Sequence, residues 1–172
     1  LGVILINCAQ RRMDDKRLSE KVILLNFTRP LLKKFVSQRW LSNLIFKTAA
    51  NPVFIEQILK IAYPSKNNLN QSLIGLLYKA TQRKGASEAF RGFINLFNDY
   101  LATDIMKNMN IPVDLIWGEI DPWEPLKEAK EWYSNINCIR SLKVIEGSGH
   151  CPHDEKPDLV NPIILDIIQQ AI

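Results

Sequence analysis

The chain has 172 residues, 47% of them hydrophobic, and a formal charge of +4, which is enough for one domain that buries roughly 70% of the surface of its unfolded form. No apolar run approaches the roughly 20 residues of a membrane-spanning helix, and Cys8, Cys138 and Cys151 form an odd, widely spaced set without a C-x-x-C pair, which fits a reducing compartment and no structural metal. Ten Lys or Arg against three Asp or Glu fall within the first 47 residues, without interleaved aromatic residues that would stack on nucleic-acid bases; solvated helix faces account for this excess first, and peripheral contact with an anionic membrane or partner is the alternative.

Residues 1 to 7 read as a buried strand ending at Asn7. The chain opens on this strand at Leu1 rather than Met, so an N-terminal truncation is expected. The next strand begins near Pro112, whereas a parallel crossover needs only about a dozen residues, so an inserted helical subdomain is expected over residues 11–98, between core segments 1–10 and 99–172. Leu18 to Thr28 reads as its first helix, interrupted by Pro30. Leu31, Leu32, Phe35, Val36, Trp40, Leu41, Leu44 and Ile45 recur at three- and four-residue steps and mark one apolar face. Asn51-Pro52 is a helix start, with Asn as cap and Pro in the first turn. A loop over 63–68 separates it from a helix over 69–83, which stops at Gly85 and restarts from Ala86 to Phe97. Residues 99–110 lead back to the sheet.

The most informative stretch runs from Ile111 to Glu155. Pro112 to Trp117 and Ser141 to Glu146 are strand-length apolar runs, each followed at once by glycine and a titratable residue: Gly118-Glu119-Ile120-Asp121-Pro122 after the first, Gly147-Ser148-Gly149-His150 after the second. Between them, Trp123 to Asn135 reads as a helix, so the unit is strand, helix, strand with a right-handed parallel crossover. Open α/β sheets place their chemistry beyond the carboxyl ends of strands, which is where Asp121 and His150 fall. An Asp and a His so placed suit the acid and base of a nucleophile, acid, base triad, in which the carboxylate fixes the imidazole tautomer and the imidazole carries the proton. A surface-loop Asp and an unrelated core His fit the same spacing, and the sequence leaves both open.

Two motifs carry a family resemblance. The run from Ile111 to Pro125 contains D-P-W-E-P, and the run from Val144 to Pro157 contains G-H-C-P-H-D-E-K-P. Together they resemble the C-terminal part of an α/β-hydrolase, most of all its pheophytinase-like branch. The resemblance implies an α/β fold with the last three parallel strands of the sheet, a helical lid in the insert, Asp121 as acid and His150 as base. It also implies chain order nucleophile, acid, base, so the G-x-S-x-G elbow should precede Leu1. No serine of this chain lies in such a motif, and the 172 residues alone are expected to be catalytically incomplete. The implied activity is hydrolysis of a hydrophobic ester through an acyl-enzyme, in the cytoplasm or a plastid-type compartment, with no metal or organic cofactor. An Asp nucleophile, as in haloalkane dehalogenases and epoxide hydrolases, and a non-catalytic binding protein on the same fold are the rivals.

Several neighbouring residues have competing readings. Trp123 is a candidate wall of the substrate pocket, against simple packing. Cys151 beside His150 raises a thiol nucleophile, and His150, His153, Asp154 and Glu155 raise a metal cluster, although Pro152 breaks a helical arrangement. His153 and Asp154 are expected to shape the turn into the closing helix, with Asp154 a cap, and Ser148 to serve the turn between its glycines. In that closing helix Asn161-Pro162 is read as a short turn before a capped start rather than as a kink. Asp114 departs from an apolar strand and faces away from Val113 and Leu115, where reaching a sheet edge and pairing with a base are the two readings and no catalytic role is assigned. Phe35, Trp40, Phe46, Phe54, Tyr63 and Tyr78 read first as core and otherwise as the lining of an apolar channel.

Overall fold

The computed structural model describes residues 1–8, 38–94 and 101–170. The helix expected over 18–28, its break at Pro30, the first part of the apolar stripe with Phe35, and the end of the helix expected to reach Phe97 lie outside these residues.

Three strands, β1 (Val3–Ile6), β2 (Val113–Gly118) and β3 (Ile139–Ile145), form one parallel sheet in the order β1-β2-β3. Strand alternation sends Val113, Leu115 and Trp117 to one face, where Val3, Leu5 and Leu142 join them, together with Met106 of α5 (Ala102–Met106) and Ala129 and Trp132 of α6 (Leu126–Asn135). Ile116 faces the other way with Ile4, Ile6 and Ile145, under Val160 and Ile167 of the closing helix α8 (Pro157–Gln169). Both faces of the sheet are therefore covered, and every residue of β2 is buried. Each fully buried Val, Leu or Ile on it contributes about 1.5–3 kcal/mol by leaving water.

Asp114 is tolerated in this strand because β3 is irregular opposite it. The register steps from Val113↔Ile139 to Asp114↔Ser141, so Arg140 is the extra residue of a bulge. Consecutive side chains of a regular strand point to opposite faces; the bulge lets both Arg140 and Ser141 reach one carboxylate. Arg140 donates Nε to Oδ1 at 3.1 Å and Nη2 to Oδ2 at 2.6 Å, and Ser141 Oγ donates to Oδ1 at 2.7 Å. Burial of Asp114 opposes its ionisation, but these hydrogen bonds and the Arg140 charge outweigh it and hold the carboxyl below the usual range.

The closing helix runs unbroken from Pro157 through Pro162 to Gln169, against the short turn expected at Asn161-Pro162. Pro162 lacks the N–H that would reach Asp158. The packing of Val160, Ile163, Ile164 and Ile167 against the sheet holds the helix across that missing bond.

Among the described residues of the insert lie four helices: α1 (Arg39–Ala49), α2 (Pro52–Ala62), α3 (Gln71–Thr81) and α4 (Ala86–Ile94). Asn51 Oδ1 accepts from Phe54 N at 2.9 Å, the cap expected at that Asn-Pro step, and Asn70 caps α3 by accepting from Leu73 N at 3.0 Å. α1 and α4 pack together through Phe46 and Phe90, with ring centroids 5.4 Å apart. Trp40 and Phe54, read as core, are instead exposed, at 63% and 42%.

Two compact units result. One comprises residues 1–10, 59–69 and 100–172, and the other 11–58 and 70–99. The insert expected over 11–98 therefore gives up one segment, residues 59–69, the last turn of α2 and nearly all of the loop that leads to α3. This segment belongs with the sheet.

Candidate functional site

β2 and β3 end side by side, and the loops beyond them carry Asp121 and His150. Their backbones come so close that a Cβ on Gly118 would overlap the carbonyl oxygen of Gly149 and lie 2.8 Å from that of Ser148. Glycine at 118 is thus a packing requirement of the site. Ser148 Oγ donates to Ile145 O at 3.0 Å, the turn role expected of it.

His150 Nδ1 lies 2.8 Å from Asp121 Oδ2, with the His150 side chain 30% exposed and that of Asp121 fully buried. A carboxylate only accepts, so Nδ1 is the donor of this bond, and in the neutral imidazole that tautomer leaves the lone pair on Nε2. Asp121 Oδ1 accepts from the backbone N–H of Trp123 at 2.8 Å and of Glu124 at 3.1 Å. Trp123 therefore lies in the turn after β2, outside the helix expected to begin there, and α6 starts at Leu126. Its ring meets the His150 imidazole edge-to-face with centroids 4.8 Å apart, and it is 37% exposed. Asn7, buried just past β1, donates from Nδ2 to Asp121 Oδ2 and, at 3.1 Å, to Gly149 O, while its Oδ1 accepts from Gly118 N at 2.9 Å.

A second layer of polar contacts holds the His150 loop from the side of residues 59–69. His150 N donates to Ala62 O at 2.9 Å. Glu155, on the short helix α7 (Pro152–Glu155), accepts from Gly149 N at 2.7 Å on Oε1, and from Ser65 Oγ at 2.5 Å and Ser65 N at 3.3 Å on Oε2. Tyr63 Oη donates to Asp154 Oδ2 at 2.8 Å, and Asn68 Nδ2 to Asp154 O. Asp154 is therefore a partner of Tyr63 within α7, not a cap of the closing helix. Burial, followed by the Asp154 hydrogen bond, pushes the Tyr63 phenol far above its ordinary range, so it remains a donor.

Two competing readings find no support here. Glu155 and Asp154 point to Ser65, Gly149 and Tyr63, and among the described residues no group of three His, Cys, Asp or Glu side chains could hold a metal ion. Burial pushes the Cys151 thiol up, opposite to what a thiolate nucleophile needs.

No family model matches the chain. It is 28% identical over 128 residues to the chloroplastic pheophytinase of Arabidopsis thaliana, covering 70% of this chain and 26% of that protein. It is 26% identical over 116 residues to the uncharacterized hydrolase YugF of Bacillus subtilis (strain 168), covering 67% of this chain and 41% of that one. The chain thus spans well under half the length of these curated relatives. A thermophilic esterase from Thermogutta terrifontis superposes with a TM-score of 0.63 at 15% identity, over 98% of this chain and 56% of the other. The chain has part of an α/β-hydrolase fold. In sequence it resembles pheophytinase.

Within this α/β-hydrolase fold, sequence reasoning named Asp121, His150 and Trp123, and the structure brings all three together. It missed Asn7, Ser65 and Glu155. Asn7 carried one usable signal, a lone polar residue closing an apolar strand where sheet chemistry gathers. Glu155 lay inside the G-H-C-P-H-D-E-K-P motif, but nothing in sequence ties it to Ser65, ninety positions away.

Proposed function

We propose that this chain supplies the acid and base of a hydrolase, Asp121 and His150, and that the whole protein cleaves a hydrophobic ester through an acyl-enzyme. The observation that carries this reading is the 2.8 Å bond from His150 Nδ1 to Asp121 Oδ2 beyond the carboxyl ends of adjacent parallel strands. His150 Nε2 takes the hydroxyl proton as the nucleophile attacks the ester carbonyl, then gives it to the departing alkoxide; water repeats the cycle on the acyl-enzyme. Asp121 holds the tautomer and balances the imidazolium formed at each step. Trp123 lines the approach to the imidazole, and the helical insert acts as a lid. The nucleophile, which no G-x-S-x-G of this chain provides, comes from outside these 172 residues. Resemblance to pheophytinase supports a chlorophyll-derived ester as substrate and a plastid-type compartment, and the basic N-terminal third suits peripheral contact with an anionic membrane.

The test is turnover of long-chain p-nitrophenyl esters and of pheophytin by the full-length protein. His150→Ala and Asp121→Asn should each lower kcat by about 10³–10⁴, and a fluorophosphonate probe should label the wild type. Activity surviving in His150→Ala would sink the reading. Turnover of haloalkanes or epoxides without fluorophosphonate labelling would assign an Asp nucleophile, and failure on every substrate class would leave a binding role.

A further inference from the structure

We infer that Asn7 is a positioning residue for the Asp121–His150 pair, a role that rests on the hydrolase reading above. Asp121 Oδ1 is fixed by two N–H groups of its own loop, Trp123 and Glu124, which leaves the carboxylate free to turn about that oxygen. Oδ2 has two partners, His150 Nδ1 and Asn7 Nδ2. Without Asn7, the orientation of Oδ2 would be set by the very imidazole it must orient. The Asn7 amide removes that circularity, and it does so from the end of a third strand.

The amide spends every hydrogen-bonding group it presents here. Nδ2 gives one N–H to Asp121 and one to the carbonyl of Gly149, the residue before His150, while Oδ1 takes the N–H of Gly118, the last residue of β2. A flipped amide would set oxygen against a carboxylate and a carbonyl, so the contacts fix its assignment. The backbone adds a second restriction, since Asn7 sits at φ 43°, in the left-handed region that Gly, Asn and Asp tolerate best. Its own N–H donates to Ile116 O at 3.1 Å, which keeps the left-handed turn on β2. Gly there would lose the amide, and Asp would set a second carboxylate against the first. Asn satisfies both demands.

The restriction supplies the test. In the full-length protein, Asn7→Gly keeps the backbone and removes the amide, and Asn7→Asp keeps shape and backbone while replacing the donor by an acceptor. Both should lower kcat by about a hundredfold, the scale of a 1 Å misplacement, with KM within about threefold of wild type. Both should also lose the low-field proton resonance of His150 Nδ1–H, identified by its absence in His150→Ala. Retention of that resonance with wild-type kcat in either folded variant overturns the inference, as does a kcat loss with the resonance intact, which would mean a merely structural role. Because the resonance reports the Asp121–His150 bond whatever the substrate, its loss in Asn7→Gly in a protein that hydrolyses nothing supports the positioning role while sinking the hydrolase reading.

Discussion

Glu155 spends a buried carboxylate on three donors, the N–H of Gly149, the N–H of Ser65 and the Ser65 hydroxyl, and is only 2% exposed. Truncating it leaves the Gly149 and Ser65 backbone N–H groups without their carboxylate acceptor. Each unpaired buried donor costs about 1–3 kcal/mol, so Glu155→Ala should destabilise the fold by at least about 2 kcal/mol, read as a lower denaturant midpoint at unchanged slope. Ser65→Ala removes the hydroxyl but leaves the Ser65 N–H and Gly149 N–H paired, and should cost visibly less. Equal losses for the two variants would mean that the carboxylate acts by something other than donor satisfaction. Crowding at the next residues makes the same point sterically: a Cβ on Gly149 would run into the Pro64 ring and the Ala62 carbonyl. The loop bearing His150 and the segment Ala62–Ser65 are thus held by both hydrogen bonds and backbone contact.

At the scale of elements, the bulge at Arg140 turns a polar intrusion in β2 into a cross-strand lock between β2 and β3. Its sign with pH follows from the depressed Asp114 carboxyl. The folded value lies below the unfolded value of about 3.9, so the stabilisation is complete above about pH 4 and fades as pH falls through the folded value. Thermal melts should therefore show a wild-type advantage over Asp114→Asn that is flat from pH 7 to about 5 and shrinks below about 4; an advantage unchanged down to pH 3 would rule the lock out. The sequence made much of this level legible. Strand-length apolar runs, each ending in glycine, marked β2 and β3, and an Asn-Pro step marked the start of α2, because these signals are local. Pro162 misled because its cost is local and the packing that overcomes it is not. The bulge was invisible because it depends on which residue of β3 faces Val113, a register that neither strand carries alone. The assignment of residues 59–69 to the sheet escaped for the same reason, since Ser65 meets Glu155 only in the fold.

At the scale of the molecule, the sheet has an asymmetric weakness. β1 pairs with β2 along one side, and among the described residues no strand pairs with its other side. That edge is the run Val3-Ile4-Leu5-Ile6, apolar and without the lysine or proline with which edge strands usually discourage further pairing. Where no other segment covers it, its backbone groups form a template for another copy or another chain. A net charge of +4 over 172 residues supplies only weak repulsion against that association. These 172 residues expressed by themselves should accordingly elute as concentration-dependent oligomers or aggregate. The full-length protein should stay monodisperse at the same concentration if another strand covers β1 there. Light scattering coupled to size exclusion distinguishes the outcomes. A monodisperse, cooperatively melting monomer of the 172 residues would mean that the β1 edge is satisfied within the chain itself, and would remove the reason for seeking its partner elsewhere.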